Sequence, residues 1–233
     1  FRLENGTLIK NETRPLVENI DDLPIIDKEL FAPHVSIPYS YLSTPSRGCP
    51  YVCNFCSLSF LGAEAKRLGG PRVRERSVDS LIKEIKTHTN EYKPDWIDFR
   101  QPVMSASKSW TAEFFNRYKK EVGLPFRCFT HPLLVDEPAI RAMHEAGCFA
   151  IQMGIECWNE EIRNNVINRP DSNEDIRQAI NIFEKVGQPY ALDYILGLPR
   201  LPIKLADGTT RAPSSDETMK SIHEELLGFA EFL

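Results

Sequence analysis

Three cysteines lie close together in the stretch Gly48-Cys49-Pro50-Tyr51-Val52-Cys53-Asn54-Phe55-Cys56. Three residues separate the first cysteine from the second, two separate the second from the third, and an aromatic residue directly precedes the last. A structural zinc ion or an ordinary iron–sulfur cluster takes four protein ligands. The spacing therefore predicts a metal centre with one coordination position left for another molecule.

The bulk composition describes one sizeable domain. The chain has 233 residues, of which 42% are hydrophobic, which is enough for a substantial core. No apolar stretch approaches the roughly 18 residues of a membrane span, and no charged start followed by an apolar run marks a signal peptide. Cys128, Cys148 and Cys157 are scattered through apolar segments, which suits a reducing compartment. We therefore expect a cytoplasmic protein with no membrane partner.

The charge distribution bears on nucleic-acid binding. A net charge of -5 opposes a general attraction to a nucleic-acid backbone, so we expect no nucleic-acid partner. One local basic cluster leaves anion or RNA contact open as an alternative to a solvated loop. It consists of Lys66, Arg67, Arg72, Arg74 and Arg76.

The chain divides into an arm and a core. Residues 1–38 are polar and punctuated by proline, which is typical of a linker or an arm wrapped on a domain. In residues 39–233, strand-like and helix-like patterns alternate. Strands are predicted at 39–43, 96–99, 126–130, 149–155 and 190–198. Ser77 is a predicted N-cap, and Ser214 with Glu217 forms a predicted capping box.

Five repeats of strand then helix predict an α/β fold with a parallel sheet, either a barrel or an open doubly wound sheet. A barrel-like curl is favoured, because no G-x-G-x-x-G pattern follows the first strand. The cysteine loop stands there instead. Since such folds keep their sites at the carboxyl ends of the strands, the metal is expected at that edge.

A three-cysteine loop directly after a first strand, followed by repeating βα units, resembles the radical S-adenosylmethionine (radical SAM) enzymes. The resemblance implies a 4Fe–4S cluster held by Cys49, Cys53 and Cys56, whose unique iron is chelated by S-adenosylmethionine (SAM). It also implies reductive cleavage of SAM to a 5′-deoxyadenosyl radical, a reductant such as flavodoxin or ferredoxin, and a small-molecule substrate. Relatives have six βα repeats. The resemblance therefore predicts a partial TIM-like barrel, truncated before its sixth strand, with the core 39–233 incomplete at its C-terminus.

The same resemblance assigns cofactor-binding roles. Glu156, at the end of the predicted fourth strand, is expected to contact the ribose or the amino group of SAM, and Arg169 to pair with its carboxylate. Relatives commonly have an acidic pair after the second strand, whereas this chain has Arg100 and Gln101 there. Gln101 is therefore a candidate to hold the methionine end through its side-chain carbonyl. No catalytic residue is predicted.

The adenine end of SAM is assigned to three further residues. Phe55, before the last cysteine of the loop, is expected near the adenine through its backbone and ring. Leu196 and Gly197, at the end of the predicted fifth strand, are expected to line the adenine side, because a small residue lets the backbone come close. The usual Gly-Glu-Thr that follows this segment in relatives is replaced by Arg200-Leu201-Pro202, which predicts unusual handling of substrate.

Three functions remain open at the level of sequence. The opening segment resembles the join between a cobalamin-binding domain and a radical SAM domain, which implies a cobalamin-dependent methyl transfer with cobalamin bound by a domain outside this chain. The basic cluster supports methylthiotransferase-like sulfur insertion on RNA or protein. A non-catalytic zinc module would use the three cysteines with His34 or His131 as the fourth ligand.

Overall fold

Five parallel strands form the central sheet of the computed structural model, which describes residues 2–104, 107–205 and 207–232. The strands are β1 (Ser40–Ser43), β2 (Trp96–Phe99), β3 (Phe126–Thr130), β4 (Cys148–Glu156) and β5 (Tyr190–Tyr194). Neighbouring strands in the sheet are also consecutive in the chain. A doubly wound sheet reverses its strand order at a switch point, whereas a barrel does not. The strand order confirms the predicted α/β fold with a barrel-like arrangement of its parallel strands.

The predicted strands occur where expected to within one residue, except at one end. The fifth strand ends at Tyr194, four residues earlier than the predicted 198. Gly197 has a φ of +80°, a left-handed conformation that an extended strand does not accommodate. The sixth strand, which relatives have, stays a prediction.

Seven helices follow or connect the strands in the described residues. They are α1 (Ser57–Arg67), α2 (Val78–Tyr92), α3 (Lys108–Glu121), α4 (Glu137–Glu145), α5 (Glu160–Asn165), α6 (Asn173–Val186) and α7 (Ser215–Phe232). The Ser77 hydroxyl accepts from the Ser80 N–H at 3.1 Å and begins α2. The Ser214 hydroxyl and Glu217 carboxylate accept from each other's N–H at 3.3 and 2.8 Å before α7. Both predicted caps are confirmed.

Short elements complete the described fold. Single 3-10 turns occur at Ile20–Asp22 and Pro132–Leu134. Three antiparallel pairs join Arg2–Glu4 to Thr7–Ile9, Ser46–Arg47 to Arg74–Glu75, and Ile203–Lys204 to Thr210–Arg211. No helix within the described ranges is both long and apolar enough to cross a membrane.

The two faces of the sheet differ in chemistry. Because side chains alternate along a strand, one face of β2 and β3 packs into the helix-covered core through Ile97, Phe99, Phe126 and Cys128. The opposite face carries charged side chains beside the aromatic rings of Trp96 and Phe129. There, the Arg127 guanidinium donates to both oxygens of Asp98 at 2.9 and 2.7 Å.

The chain before β1 lies against the core. The Asp21 carboxylate accepts from the Ser77 N–H at 3.1 Å, at the N-terminus of α2. An Arg74 Nη1 donates to the Val17 carbonyl at 2.6 Å. These contacts hold the segment around residues 17–21 against Arg74 and the start of α2. The predicted end of the arm at residue 38 stays a prediction.

Helix α7 is anchored by a buried carboxylate. Glu225, only 8% exposed, accepts from the Cys157 thiol and the Trp158 N–H at 2.9 Å each. It also accepts from the Tyr194 hydroxyl and the Arg200 guanidinium. The contacts hold α7 against the residues that directly follow β4.

We expect Glu225→Gln to lose about 2 kcal/mol at neutral pH, the usual scale for buried hydrogen bonds to a charged group. Burial alone would raise the pKa of Glu225, but hydrogen bonds from Cys157, Tyr194 and Arg200 hold that pKa below its ordinary value. A depressed pKa stabilises the fold above the unfolded-state pKa, and this contribution disappears as the pH falls through the folded-state value.

Urea denaturation of the wild type and Glu225→Gln at several pH values checks this prediction. The difference in unfolding free energy is expected to be largest near pH 7 and to shrink below about pH 4.3, the usual pKa of glutamate. The exposed substitution Glu174→Gln is the control. A difference that stays constant across this range would show that the charge of Glu225 contributes nothing.

Candidate active site

The cysteine loop follows β1, and one arginine side chain donates hydrogen bonds to its backbone. Arg72 donates through Nε to the Cys49 carbonyl at 3.4 Å and through Nη2 to the Tyr51 carbonyl at 3.1 Å. Gly48 enters the loop with a φ of +92°. A Cβ atom at this position would lie 1.8 Å from the Arg72 carbonyl oxygen. The loop path therefore requires glycine on two counts, conformation and space.

Gly48→Ala is expected to destabilise the protein by at least about 2 kcal/mol, since the strained φ and the backbone overlap both cost free energy. Thermal denaturation measures the effect. Gly69→Ala is a matched control, because Gly69 also has a positive φ, +80°, but its Cβ would meet nothing within 4 Å. Equal losses in the two variants would contradict the close approach at Gly48.

The three thiols form one electrostatic group. Cys49 and Cys53 are buried and Cys56 is half-buried, all as free thiols. Burial raises the pKa of Cys49 and of Cys53, and thiolate charge on the neighbouring cysteines raises both further. The Arg169 guanidinium acts in the opposite direction on both. Nearby positive charge of this kind favours the thiolate form that a metal requires.

The donor set fits a cluster with three protein ligands. The loop supplies three thiols near an arginine that can balance thiolate charge. Among the described residues, however, no group of three or more His, Cys, Asp or Glu side chains is arranged as a ready-made metal cage. Binding a cluster therefore requires the thiol side chains to turn toward a common centre.

Glu156 and Arg169 form the second part of the site. Glu156 ends β4 in a left-handed conformation, with a φ of +60°. Arg169, 5% exposed, places Nη1 3.4 Å from the Glu156 Oε1 and donates through Nη2 to the Gly154 carbonyl at 2.7 Å. Burial raises the pKa of Glu156, against the opposing charge of Arg169. The predicted pair is thus brought together at the carboxyl end of β4.

Asp171 connects this pair to the rest of the site. Its carboxylate lies 3.2 Å from the Arg169 Nε, 3.1 Å from the Arg163 Nε and 3.3 Å from the His131 Nε2. The His131 ring in turn stacks on Tyr51 of the cysteine loop, with ring centroids 3.7 Å apart. A continuous set of contacts therefore runs from the loop to Glu156.

His131 is a structural residue in this arrangement. It is 3% exposed, and its Nδ1 accepts from the Leu133 N–H at 3.3 Å, which caps the turn after β3. The ring is stacked on Tyr51 and Nε2 faces Asp171, so His131 connects the cysteine loop to this carboxylate. Its role as a zinc ligand stays a prediction.

Two asparagines fasten the cysteine loop to the segment before Arg169. The Asn54 side chain donates to the Val166 carbonyl at 3.0 Å, and the Asn168 side chain donates to the Val52 carbonyl at 3.0 Å. The loop and Arg169 are therefore positioned by one another. Neither asparagine was predicted from the sequence, because the two segments are more than 100 residues apart.

Gln101 offers a free acceptor near the loop. It is 5% exposed, and its Nε2 donates to the Val103 carbonyl at 2.9 Å. Its Oε1 is buried, with no hydrogen-bond partner among the described residues. Gln101 lines a cavity of about 710 Å³ together with Gly48 and Arg72. An unpartnered buried carbonyl is costly unless a ligand donates to it.

The residues assigned to the adenine side stand apart from this network. Phe55 and Leu196 are 47% and 69% exposed. Gly197 turns the chain after β5. The described contacts join none of these three to Arg169 or Glu156, and their roles stay predictions.

Sequence reasoning missed Asp171, Arg163 and Tyr51. Asp171 follows Arg169 by two positions, and an acidic residue so close to a predicted cofactor-binding arginine was an available signal. Arg163 had no such signal, since it lies on the polar-looking helix α5 and yet is fully buried.

A sheet with strands in chain order and a three-cysteine loop after its first strand defines the class of the protein. The family model described as "Radical SAM superfamily" matches residues 43–206. The chain belongs to this superfamily of enzymes.

Curated relatives extend the similarity. The chain is 27% identical over 201 residues to "Uncharacterized methyltransferase PH0819" of Pyrococcus horikoshii, covering 84% of this chain and 42% of the relative. It is 26% identical over 156 residues to cytidylyl-2-hydroxyethylphosphonate methyltransferase of Streptomyces wedmorensis, covering 66% of this chain and 28% of the relative. The chain thus spans less than half the length of either relative.

Solved structures share the fold. The cobalamin-dependent SAM radical enzyme OxsB, with aqua-cobalamin and SAM bound, superposes with a TM-score of 0.71 at 14% identity, covering 99% of this chain and 35% of that one. The radical SAM methyltransferase TsrM from Kitasatospora setae, with tryptophan and a SAM analogue bound, gives 0.58 at 14% identity, covering 70% and 31%. At such identities the likeness concerns the fold.

Proposed function

We propose that this enzyme binds a 4Fe–4S cluster through Cys49, Cys53 and Cys56 and reductively cleaves SAM in a methyl-transfer reaction on a small molecule. One observation carries the proposal. The cysteine loop is joined through stacked rings and a buried carboxylate to the Arg169–Glu156 pair at the carboxyl end of β4. The loop and the pair therefore form one site.

The chain's own residues bind and orient. Three of the five Arg169 N–H groups bond Asp171, Glu156 and Gly154, and the remaining two can donate to a carboxylate. The Glu156 carboxylate accepts from a ribose hydroxyl or an amino group, and the free Gln101 carbonyl accepts from an ammonium. The cluster, when bound, supplies the electron for SAM cleavage, from a reductant such as flavodoxin or ferredoxin.

Methyl transfer is supported by the similar proteins. Both curated relatives are called methyltransferases, and one of them is named for cytidylyl-2-hydroxyethylphosphonate. OxsB is a cobalamin-dependent enzyme, and TsrM has a structure with cobalamin and a 4Fe–4S cluster bound. We propose that cobalamin serves this reaction from a domain outside the described chain.

Sulfur insertion on RNA receives less support. In the basic cluster, Arg67 bonds Glu64 at 2.8 Å. Arg76 pairs with Glu84. Arginines that are paired with carboxylates of the protein have less capacity to contact RNA phosphates.

The test is SAM binding and cleavage by anaerobically reconstituted protein. With a strong reductant, the wild type is expected to form 5′-deoxyadenosine. Arg169→Met is expected to weaken SAM binding at least about tenfold, the scale of one lost charge-assisted pair. Arg117→Met, which removes a surface arginine of α3, is the control.

Two results would contradict the proposal. One is about one zinc ion per chain after reconstitution, without SAM cleavage. The other is an unchanged affinity for SAM in Arg169→Met, which would show that Arg169 does not pair with the SAM carboxylate.

A further inference from the structure

The cavity next to Gln101 has an unusual charge. It lies between α1, the Ser46–Arg47/Arg74–Glu75 pair and the residues that follow β2. Five arginines line it, namely Arg14, Arg47, Arg72, Arg74 and Arg100. Glu64 is the one acidic residue among the described lining residues, and it already pairs with Arg67 at 2.8 Å. Arg100 pairs with Asp98 at 2.8 Å. The other four arginines still give the walls an excess of positive charge.

Two of these arginines face each other across a strand pair. In the antiparallel register, Arg47 is directly opposite Arg74. Like charges at directly opposed positions destabilise a strand pair. Arg74 donates through Nη1 to the Val17 carbonyl. Neither arginine has an acidic partner among the described ion pairs. An anion between them would turn this repulsion into attraction.

The remaining walls are apolar. Leu16, Leu58, Leu61 and Leu68 line the side formed by the arm and α1, and Phe129 lines the sheet side. Leu61 is 54% exposed, so this wall is open to a ligand. The cavity volume, about 710 Å³, falls in the usual range for organic ligands.

We infer that this cavity binds an amphipathic phosphate-type anion, with its charged group between Arg47 and Arg74 and its apolar body along α1. Arginine pairs suit phosphate oxygens because guanidinium donors are planar and paired. The apolar wall excludes a bare inorganic ion as the preferred ligand. This inference needs neither the cluster nor SAM, so it stands or falls separately from the proposed function.

Isothermal titration calorimetry with octyl phosphate, octanol and inorganic phosphate tests it on the purified protein. Octyl phosphate is expected to bind at least tenfold more tightly than octanol or inorganic phosphate. Arg47→Gln is expected to weaken octyl phosphate at least tenfold and to leave octanol unchanged. Leu61→Glu places a negative charge on the apolar wall and is expected to weaken octyl phosphate by a similar factor.

The controls separate binding from folding. Arg47 and Leu61 are exposed, so both variants are expected to keep the wild-type thermal midpoint, and Arg141→Gln on α4 is expected to keep full affinity. Vesicles of phosphatidylcholine with phosphatidic acid distinguish a lipid headgroup from a free phosphate ester. If the protein binds these vesicles and not octyl phosphate, the ligand is a lipid headgroup. Equal affinity for octyl phosphate and octanol, or affinity unchanged in Arg47→Gln, would overturn the inference.

Discussion

Cys53→Ala is expected to abolish iron retention and SAM cleavage together. The thiol of Cys53 lies between those of Cys49 and Cys56 in sequence, and burial together with the charges of these two neighbours raises the pKa of Cys53. With two thiols left, a cluster keeps half of the usual four ligands. We expect iron to fall from about four per chain to a trace, and 5′-deoxyadenosine to fall to the level without protein.

Cys148→Ala is the matched control for this prediction. Cys148 is a buried free cysteine on β4, outside the loop, and its removal changes only a small buried volume. It is expected to retain iron and activity. If Cys53→Ala keeps its iron, or Cys148→Ala loses it equally, the cluster assignment to the loop is wrong.

Arg163→Ala is expected to destabilise the fold by about 3–5 kcal/mol, the usual cost of removing one partner from a buried charge pair. Arg163 is fully buried and donates to the carbonyls of Asp171 and Cys157 at 2.9 and 2.6 Å and to the Asn173 side chain at 2.8 Å. Its Nε also lies 3.1 Å from the Asp171 carboxylate. The substitution leaves all of these acceptors without their donor.

Guanidinium denaturation measures this loss, with Arg141→Ala as the control. Arg141 pairs with Glu137 on the surface of α4, where such pairs contribute less than about 1 kcal/mol. A loss below about 1 kcal/mol for Arg163→Ala would show that water replaces the guanidinium and that the network around Asp171 does not hold the site together.

Local patterns predicted the fold well. The cap at Ser77 and the strand limits at Trp96–Phe99 and Phe126–Thr130 agree with the structure, because capping and alternation act over a few residues. The end of β5 was predicted too late, because the apolar run after Tyr194 continues into a turn at Gly197. Hydrophobicity alone does not distinguish an extended segment from a turn.

The candidate site was predicted in part. Spacing identified the cysteine loop, and the resemblance to the family identified Glu156 and Arg169, which the structure places in contact. Long-range contacts were beyond the sequence, such as the stacking of Tyr51 on His131 and the ion pair of Asp171 with Arg163. Such contacts depend on how separate strand ends meet, and no local pattern encodes that.

The most direct measurement of the central claim is the electron paramagnetic resonance spectrum of the reconstituted, reduced protein before and after SAM is added. A cluster held by Cys49, Cys53 and Cys56 alone has one iron without a protein ligand. The account predicts a reduced-cluster signal that changes when SAM is added and that is absent in Cys53→Ala. A protein that contains zinc and gives no signal, or a cluster signal that SAM leaves unchanged, would contradict it.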